Sequence, residues 1–101
     1  MKGYIALLVF LGLNAQASIL GDVKLEAKKM TRNESTDSIM LEGKAQISQQ
    51  KKLLQADKIF VNYNSGLVIA KGNCVYRDGE EKVSAAKMVF RIDDGIWEKK
   101  Y

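Results

Sequence analysis

The 101-residue chain contains no histidine and no proline, and it has a single cysteine, Cys74. Without histidine the commonest metal ligand and the commonest general base are gone, so metal-centre and acid–base enzyme readings lose most of their candidates. With one cysteine no internal disulfide forms, and the fold must hold without covalent staples. A hydrolase working through Cys74 is a third-rank reading, since its thiolate would need activation by lysine, arginine or a helix terminus in a β-rich chain. Cys74 reads better as a small buried hydrophobe. No Gly-rich phosphate loop precedes a helical pattern. The carboxylate pairs Glu80-Glu81 and Asp93-Asp94 lie beside turn glycines, and neighbouring strand residues point to opposite faces, so they read as turn and surface groups. No proline stands in the way of strand pairing.

Charge of one sign is also scarce. Sixteen Lys and Arg face twelve Asp and Glu, for a net +4, and they are interspersed: Lys51-Lys52 near Asp57, Lys82 beside Glu80-Glu81. A nucleic-acid binder gathers its cations into one stripe; this pattern is a solvated mixed surface with at most a modest pull toward anionic lipid or sugar phosphate. No apolar run approaches the roughly 20 residues that span a bilayer. The apolar run over residues 4–13 follows the basic start Met1-Lys2 and precedes Ala15-Gln16-Ala17, which offers small side chains where a signal peptidase reads. Residues 1–17 are therefore predicted to be a cleaved secretory signal peptide. Its removal, with Lys2, leaves residues 18–101, 84 residues with a net charge of +3, enough for one small domain.

What the chain does have is repetition. Leu25-Glu26-Ala27-Lys28-Lys29-Met30, Leu54-Gln55-Ala56-Asp57-Lys58-Ile59 and Val83-Ser84-Ala85-Ala86-Lys87-Met88 superpose at a spacing of 29 residues without a gap. In the same register residues 39–47 fall on residues 68–76, and Asp37, Gly66 and Gly95 share one turn position. Such a period predicts stacked β units, each completing its apolar face against its neighbours.

Period-two alternation places Ile39, Leu41, Gly43, Ala45 and Ile47 on one face and Met40, Glu42, Lys44, Gln46 and Ser48 on the other, a half-buried strand. Its copy turns Val68, Ala70, Gly72, Cys74 and Tyr76 inward. A second strand follows in each unit, over residues 53–63 and 83–92, closed by Asn64-Ser65-Gly66 and Asp93-Asp94-Gly95, which favour the left-handed backbone of tight hairpins. In these second strands the apolar parity changes: Leu54 and Ala56 share one parity, Ile59, Val61 and Tyr63 the other, and Val83 and Ala85 give way to Met88, Phe90 and Ile92. If both halves face one interior, an extra residue is absorbed near Asp57-Lys58 and Ala86-Lys87, as a β-bulge or corner would do. Residues 21–38 are unusually polar, which predicts a first strand that is frayed or completed only on docking.

In order and spacing, Leu41-Glu42-Gly43 through Ile47, Leu54-Gln55-Ala56-Asp57-Lys58-Ile59, Ala70-Lys71-Gly72-Asn73 and Arg77-Asp78-Gly79 resemble the motif pattern of the OstA-like family. That family includes the lipopolysaccharide-transport bridge protein LptA and the N-terminal domain of the translocon LptD. The resemblance covers residues 25–97. It implies an all-β, antiparallel, folded-over sheet, jellyroll-like or "β-taco", in the periplasm. It further implies an apolar groove that holds lipopolysaccharide acyl chains, with no cofactor and no catalysis, and with other lipopolysaccharide-transport components as partners.

On this reading the expected groove is lined by Ile47, Ile59, Val61, Tyr63, Tyr76, Phe90 and Ile92, rows of side chains able to receive alkyl chains without directional bonds, at roughly 0.8 kcal/mol per buried CH₂. Residues 25–101 hold about 2.6 repeats, fewer than a comfortably stable array, so a partner covering the last strand, or a larger assembly, is expected. Edge docking or homo-oligomer formation is assigned to Ile96 and Trp97, with Lys99 and Lys100 as gatekeepers. The alternative, from a different class, is a scaffolding β module that assembles edge to edge and carries no lipid.

Overall fold

A computed structural model of the chain describes Val9–Phe10, residues 23–93 and residues 95–100. All the regular structure in them is β: β1 (Val9–Phe10), β2 (Lys24–Glu26), β3 (Lys29–Asn33), β4 (Ser38–Gln49), β5 (Lys52–Asn62), β6 (Leu67–Asp78), β7 (Glu81–Asp93) and β8 (Ile96–Lys99). The strands form one antiparallel sheet in the order β1-β2-β4-β5-β6-β7-β8, with β3 also paired to β4. Of the segment read as a signal peptide only Val9–Phe10 are described, their backbone paired with Lys24 and Leu25. The expected cleavage after Ala17 lies outside the described residues.

The sheet is bent along a single line. Across it Leu41 pairs with Ile59 but Ala45 with Ala56, so Gly43-Lys44 of β4 stand opposite the one residue Asp57 of β5. In the next copy Cys74 pairs with Ala85 and Lys71 with Lys87, so Gly72-Asn73 of β6 stand opposite Ala86. The bulge expected from the parity change is present, but the extra residue sits on the first strand of each unit. Gly43, Lys44, Gly72 and Asn73 all have positive φ, which coils the long strand while its apolar parity is kept; the partner strand, one residue shorter, shows the parity change.

The third copy of this corner divides β2 from β3. Leu25 pairs with Ile47 and Met30 with Leu41, and the Lys28 amide donates to the Gly43 carbonyl at 3.0 Å. The polar segment expected to fray is therefore in register, because main-chain bonds and the inward Val23, Leu25 and Ala27, all buried, suffice where outward side chains are polar.

The 29-residue period governs the turns as well. Asp37, Gly66 and Gly95 share positive φ, as do Gln50 and Gly79. Asn33 Oδ1 accepts the Ser35 amide at 3.0 Å, and its equivalent Asn62 Oδ1 accepts the Asn64 amide at 2.9 Å, local bonds that fix the turn without help from the core. Between β4 and β5 the connection is the two-residue turn Gln50-Lys51, since Gln49 and Lys52 still pair.

The bend line divides the sheet into two arms. Arm I contains the halves that run to the turns near residues 34–37, 63–66 and 95; arm II contains the halves that run to residues 50–51 and 79–80. Tyr76 of arm II and Phe90 of arm I, which are not register partners, lie 4.9 Å apart by ring centroid, so the arms face each other across a shared apolar interior.

Candidate functional site

The interior is built from both arms by alternation. Leu25, Ala45, Ile47, Leu54, Ala56, Cys74 and Tyr76 project from arm II, and Ile39, Leu41, Ile59, Val61, Val68, Ala70, Met88, Phe90 and Ile92 from arm I, all buried. Of the seven residues expected to line a groove, Ile47, Ile59, Val61, Tyr76, Phe90 and Ile92 are brought together there, none more than 4 % exposed. Tyr63 is half-buried and packs against this cluster from the rim, with the Arg32 guanidinium 5.2 Å above its ring. These six side chains are almost inaccessible to solvent, so an alkyl chain reaches them only if the arms part.

At the C-terminal end the arms are tied together. Trp97 pairs with Ile92 in the sheet and turns inward, 5.7 Å from the Phe90 ring and 5.9 Å from Tyr76. Its indole N–H donates to Gln49 Oε1 across the interior at 2.7 Å, satisfying two polar groups that burial would otherwise penalise. Lys99 lies on the same inner face, with Nζ 5.6 Å from the Tyr76 ring centre and 3.8 Å from Glu81, and Lys100 pairs with Glu98 at 3.7 Å. Of the four residues assigned to edge docking, then, Ile96 alone is a large exposed apolar group, at 69 %. Trp97 belongs to the interior, a role hidden in the sequence because only its register with Ile92 sets which way it faces.

The strand edge at this end is longer than expected. β8 pairs with the last part of β7 only, from Phe90 to Asp93, so among the described strands none pairs with the outer side of β7 at Glu81–Lys87. An inward lysine such as Lys99 is a device that blunts edges; the Glu81–Lys87 stretch lacks proline and is mostly exposed.

Burial raises the Tyr76 phenol to about 12, with the neighbouring Asp78 carboxylate, which accepts its hydrogen bond at 3.3 Å, adding to the effect. Burial likewise pushes the Cys74 thiol up. Its Sγ lies 3.6 Å from the Ala86 carbonyl, a geometry suited to a protonated packing group. Among the described residues no group of three or more acidic or thiol side chains is placed to hold a metal ion, and no helix is long and apolar enough to cross a membrane.

The outer face differs between the arms. On arm II Glu26, Gln46 and Gln55 form a hydrogen-bonded ladder, Gln46 donating to Glu26 at 2.9 Å and Gln55 to Gln46 at 3.1 Å. On arm I Met40, Phe60 and Ile69 form the floor of an open cleft of about 450 Å³, rimmed by Lys58, Lys71 and Lys87. This feature went unremarked in the sequence although its signal was there: Met40 and Ile69, Phe60 and Val89, Lys58 and Lys87 are 29-residue equivalents on the outward parity. No protein-family model, curated protein or solved structure matches the chain.

Proposed function

We propose that this chain is a periplasmic, non-catalytic module that binds lipopolysaccharide or a similar lipid and relays it toward the outer membrane. One observation carries the reading: two arms of a single antiparallel sheet face each other across an interior lined mainly by apolar side chains, with Ile47, Ile59, Val61, Tyr76, Phe90 and Ile92 buried in it. Such a lining offers an alkyl chain dispersion contact at every step and no directional bond that would hold it in one place. A chain entering between the arms exchanges apolar contacts for apolar contacts. The cross-arm bond of Trp97 with Gln49, and to a smaller extent the exposed pair of Lys99 with Glu81, must also yield for the arms to part. The resemblance of the repeat motifs to the OstA-like family and the signal-like start support the same compartment and cargo.

A photo-crosslinking amino acid in place of Ile59 or Phe90 is expected to capture lipopolysaccharide in cells, while one in place of the outward Lys44 is not. A second reading, a scaffold that assembles edge to edge without lipid, is favoured by the deep burial of the interior side chains and by the Glu81–Lys87 stretch of β7, which no described strand covers on its outer side. On that reading inner and outer positions label alike, and Ile96→Asp shifts size-exclusion profiles to monomer with no change in lipid content.

A further inference from the structure

The outer face of arm I is organised by two adjacent rungs of cross-strand neighbours. In the first, Glu42 lies opposite Lys58, Lys58 opposite Lys71, and Lys71 opposite Lys87. In the second, on the same face, Met40 lies opposite Phe60 and Phe60 opposite Ile69. Like charges directly opposite one another destabilise a sheet, and three lysines in succession share one carboxylate, Glu42, which is 3.6 Å from Lys58 Nζ. Among the described residues Lys71 and Lys87 have no ion-pair partner. Arm II resolves the corresponding outer rung differently, with the self-satisfied Glu26, Gln46 and Gln55 ladder. The lysine rung is thus a standing excess of positive charge beside an apolar floor, and the cleft between them, about 450 Å³, has the volume of a small-molecule site, roughly 300–1,000 Å³.

We propose that this cleft binds one molecule of a single-chain alkyl phosphate, with the chain across Met40, Phe60 and Ile69 and the phosphate monoester on Lys58, Lys71 and Lys87. Adjacent strands stand about 4.8 Å apart, so three ammonium groups on flexible stems can reach one compact head once Lys58 leaves Glu42, and a phosphate monoester, carrying about −1.5 to −2 at neutral pH, matches them better than a single carboxylate. A bilayer surface fits less well. Met40, Phe60 and Ile69 are half-buried at the bottom of the cleft, and among the described residues the only large apolar side chain that projects is Ile96, so nothing on this face would insert into a membrane. The site lies on the opposite side of the sheet from the interior row and does not require the arms to part, so it stands whether or not the interior carries lipid.

The test is a titration of the ¹⁵N-labelled full chain, followed by amide chemical shifts, with dodecyl phosphate kept below its micelle concentration. Saturable one-to-one binding is expected, with shifts centred on Met40, Phe60, Ile69 and Lys71. The triple variant Lys58→Gln, Lys71→Gln, Lys87→Gln, its melting temperature checked against the parent, is expected to bind about tenfold more weakly, and Phe60→Ser to weaken the alkyl phosphate while leaving any response to inorganic phosphate unchanged. Dodecyltrimethylammonium is expected not to bind. The proposal is overturned if inorganic phosphate binds as tightly as the alkyl phosphate, if binding appears only with vesicles of phosphatidylglycerol and phosphatidylcholine, or if no saturable shift occurs. Shifts centred on Ile59 and Phe90 instead would overturn it while favouring the interior site, so the two readings fail separately.

Discussion

Gly72 provides the sharpest test of the corner geometry. Its φ is +86, and a Cβ built there would lie 2.5 Å from Asp57 Oδ2 and 3.0 Å from Asp57 Cβ. Gly79, its control, has φ +64 and nothing within 4 Å of the same added atom. Alanine at either position incurs the left-handed backbone cost of roughly 1–2 kcal/mol. At Gly72 it must also displace Asp57 at its Cβ, not merely at the end of a flexible chain, and so breaks the bond that Asn73 Nδ2 donates to Asp57 Oδ2 at 3.0 Å, about 1 kcal/mol, with packing strain of similar size. Gly72→Ala should therefore cost about 1–2 kcal/mol more than Gly79→Ala. At about 4–8 °C per kcal/mol for a domain of this size, the difference in melting temperature is roughly 4–16 °C. Thermal and urea unfolding followed by circular dichroism measure it, and the double variant Asp57→Gly, Gly72→Ala should be milder than the sum of its singles. Equal losses at Gly72 and Gly79, or strict additivity in the cycle, would refute the close approach.

Ala56 is 6 % exposed in the interior, so Ala56→Arg buries an unpaired charge and is expected to leave the domain unfolded at room temperature. Its repeat equivalent Ala85 is half-buried on the open edge of β7, where an arginine stem lies along the surface and its head reaches water; a loss within about 1 kcal/mol is expected. Identical melting curves for both variants and the parent would show that Ala56 does not face inward. Because the Tyr76 phenol is raised in the folded state from near 10 to about 12, the unfolded chain loses this proton first as pH rises. The associated stability is whole below pH 10 and is lost as pH climbs through 12. Tyr76→Phe should thus lose less stability than the parent between pH 9 and pH 11 in urea titrations; equal pH dependence would remove Tyr76 as the source.

Much of the architecture was legible because local and global signals coincide at 29 residues. Alternation in residues 39–47 and 68–76 names the inward face of β4 and β6, since successive side chains on a strand can only point to opposite sides. The parity change after Ala56 and Ala85 announces a bulge, because keeping one interior across an odd step demands an extra residue somewhere in the pair. On which strand that residue sits was not legible. The count mismatch belongs to the pairing of two strands, and Gly43-Lys44 and Gly72-Asn73 accept left-handed backbone more readily than Asp57-Lys58 or Ala86-Lys87.

The sequence alone determined that this is an antiparallel β repeat with an apolar interior, because alternation, turn residues and period are properties of neighbours along the chain. Which side chains meet across that interior depended on how far the sheet bends, which no local pattern encodes. The bend brings Trp97 to Gln49, forty-eight positions away, and turns a residue expected at an edge into a tie between the arms. It also leaves Tyr63, just past the end of β5, only half-buried against the row it was grouped with. The lysine rung of Lys58, Lys71 and Lys87 likewise exists only through strand register: charges well mixed along the chain become a single-sign row once antiparallel pairing sets residues from three strands side by side.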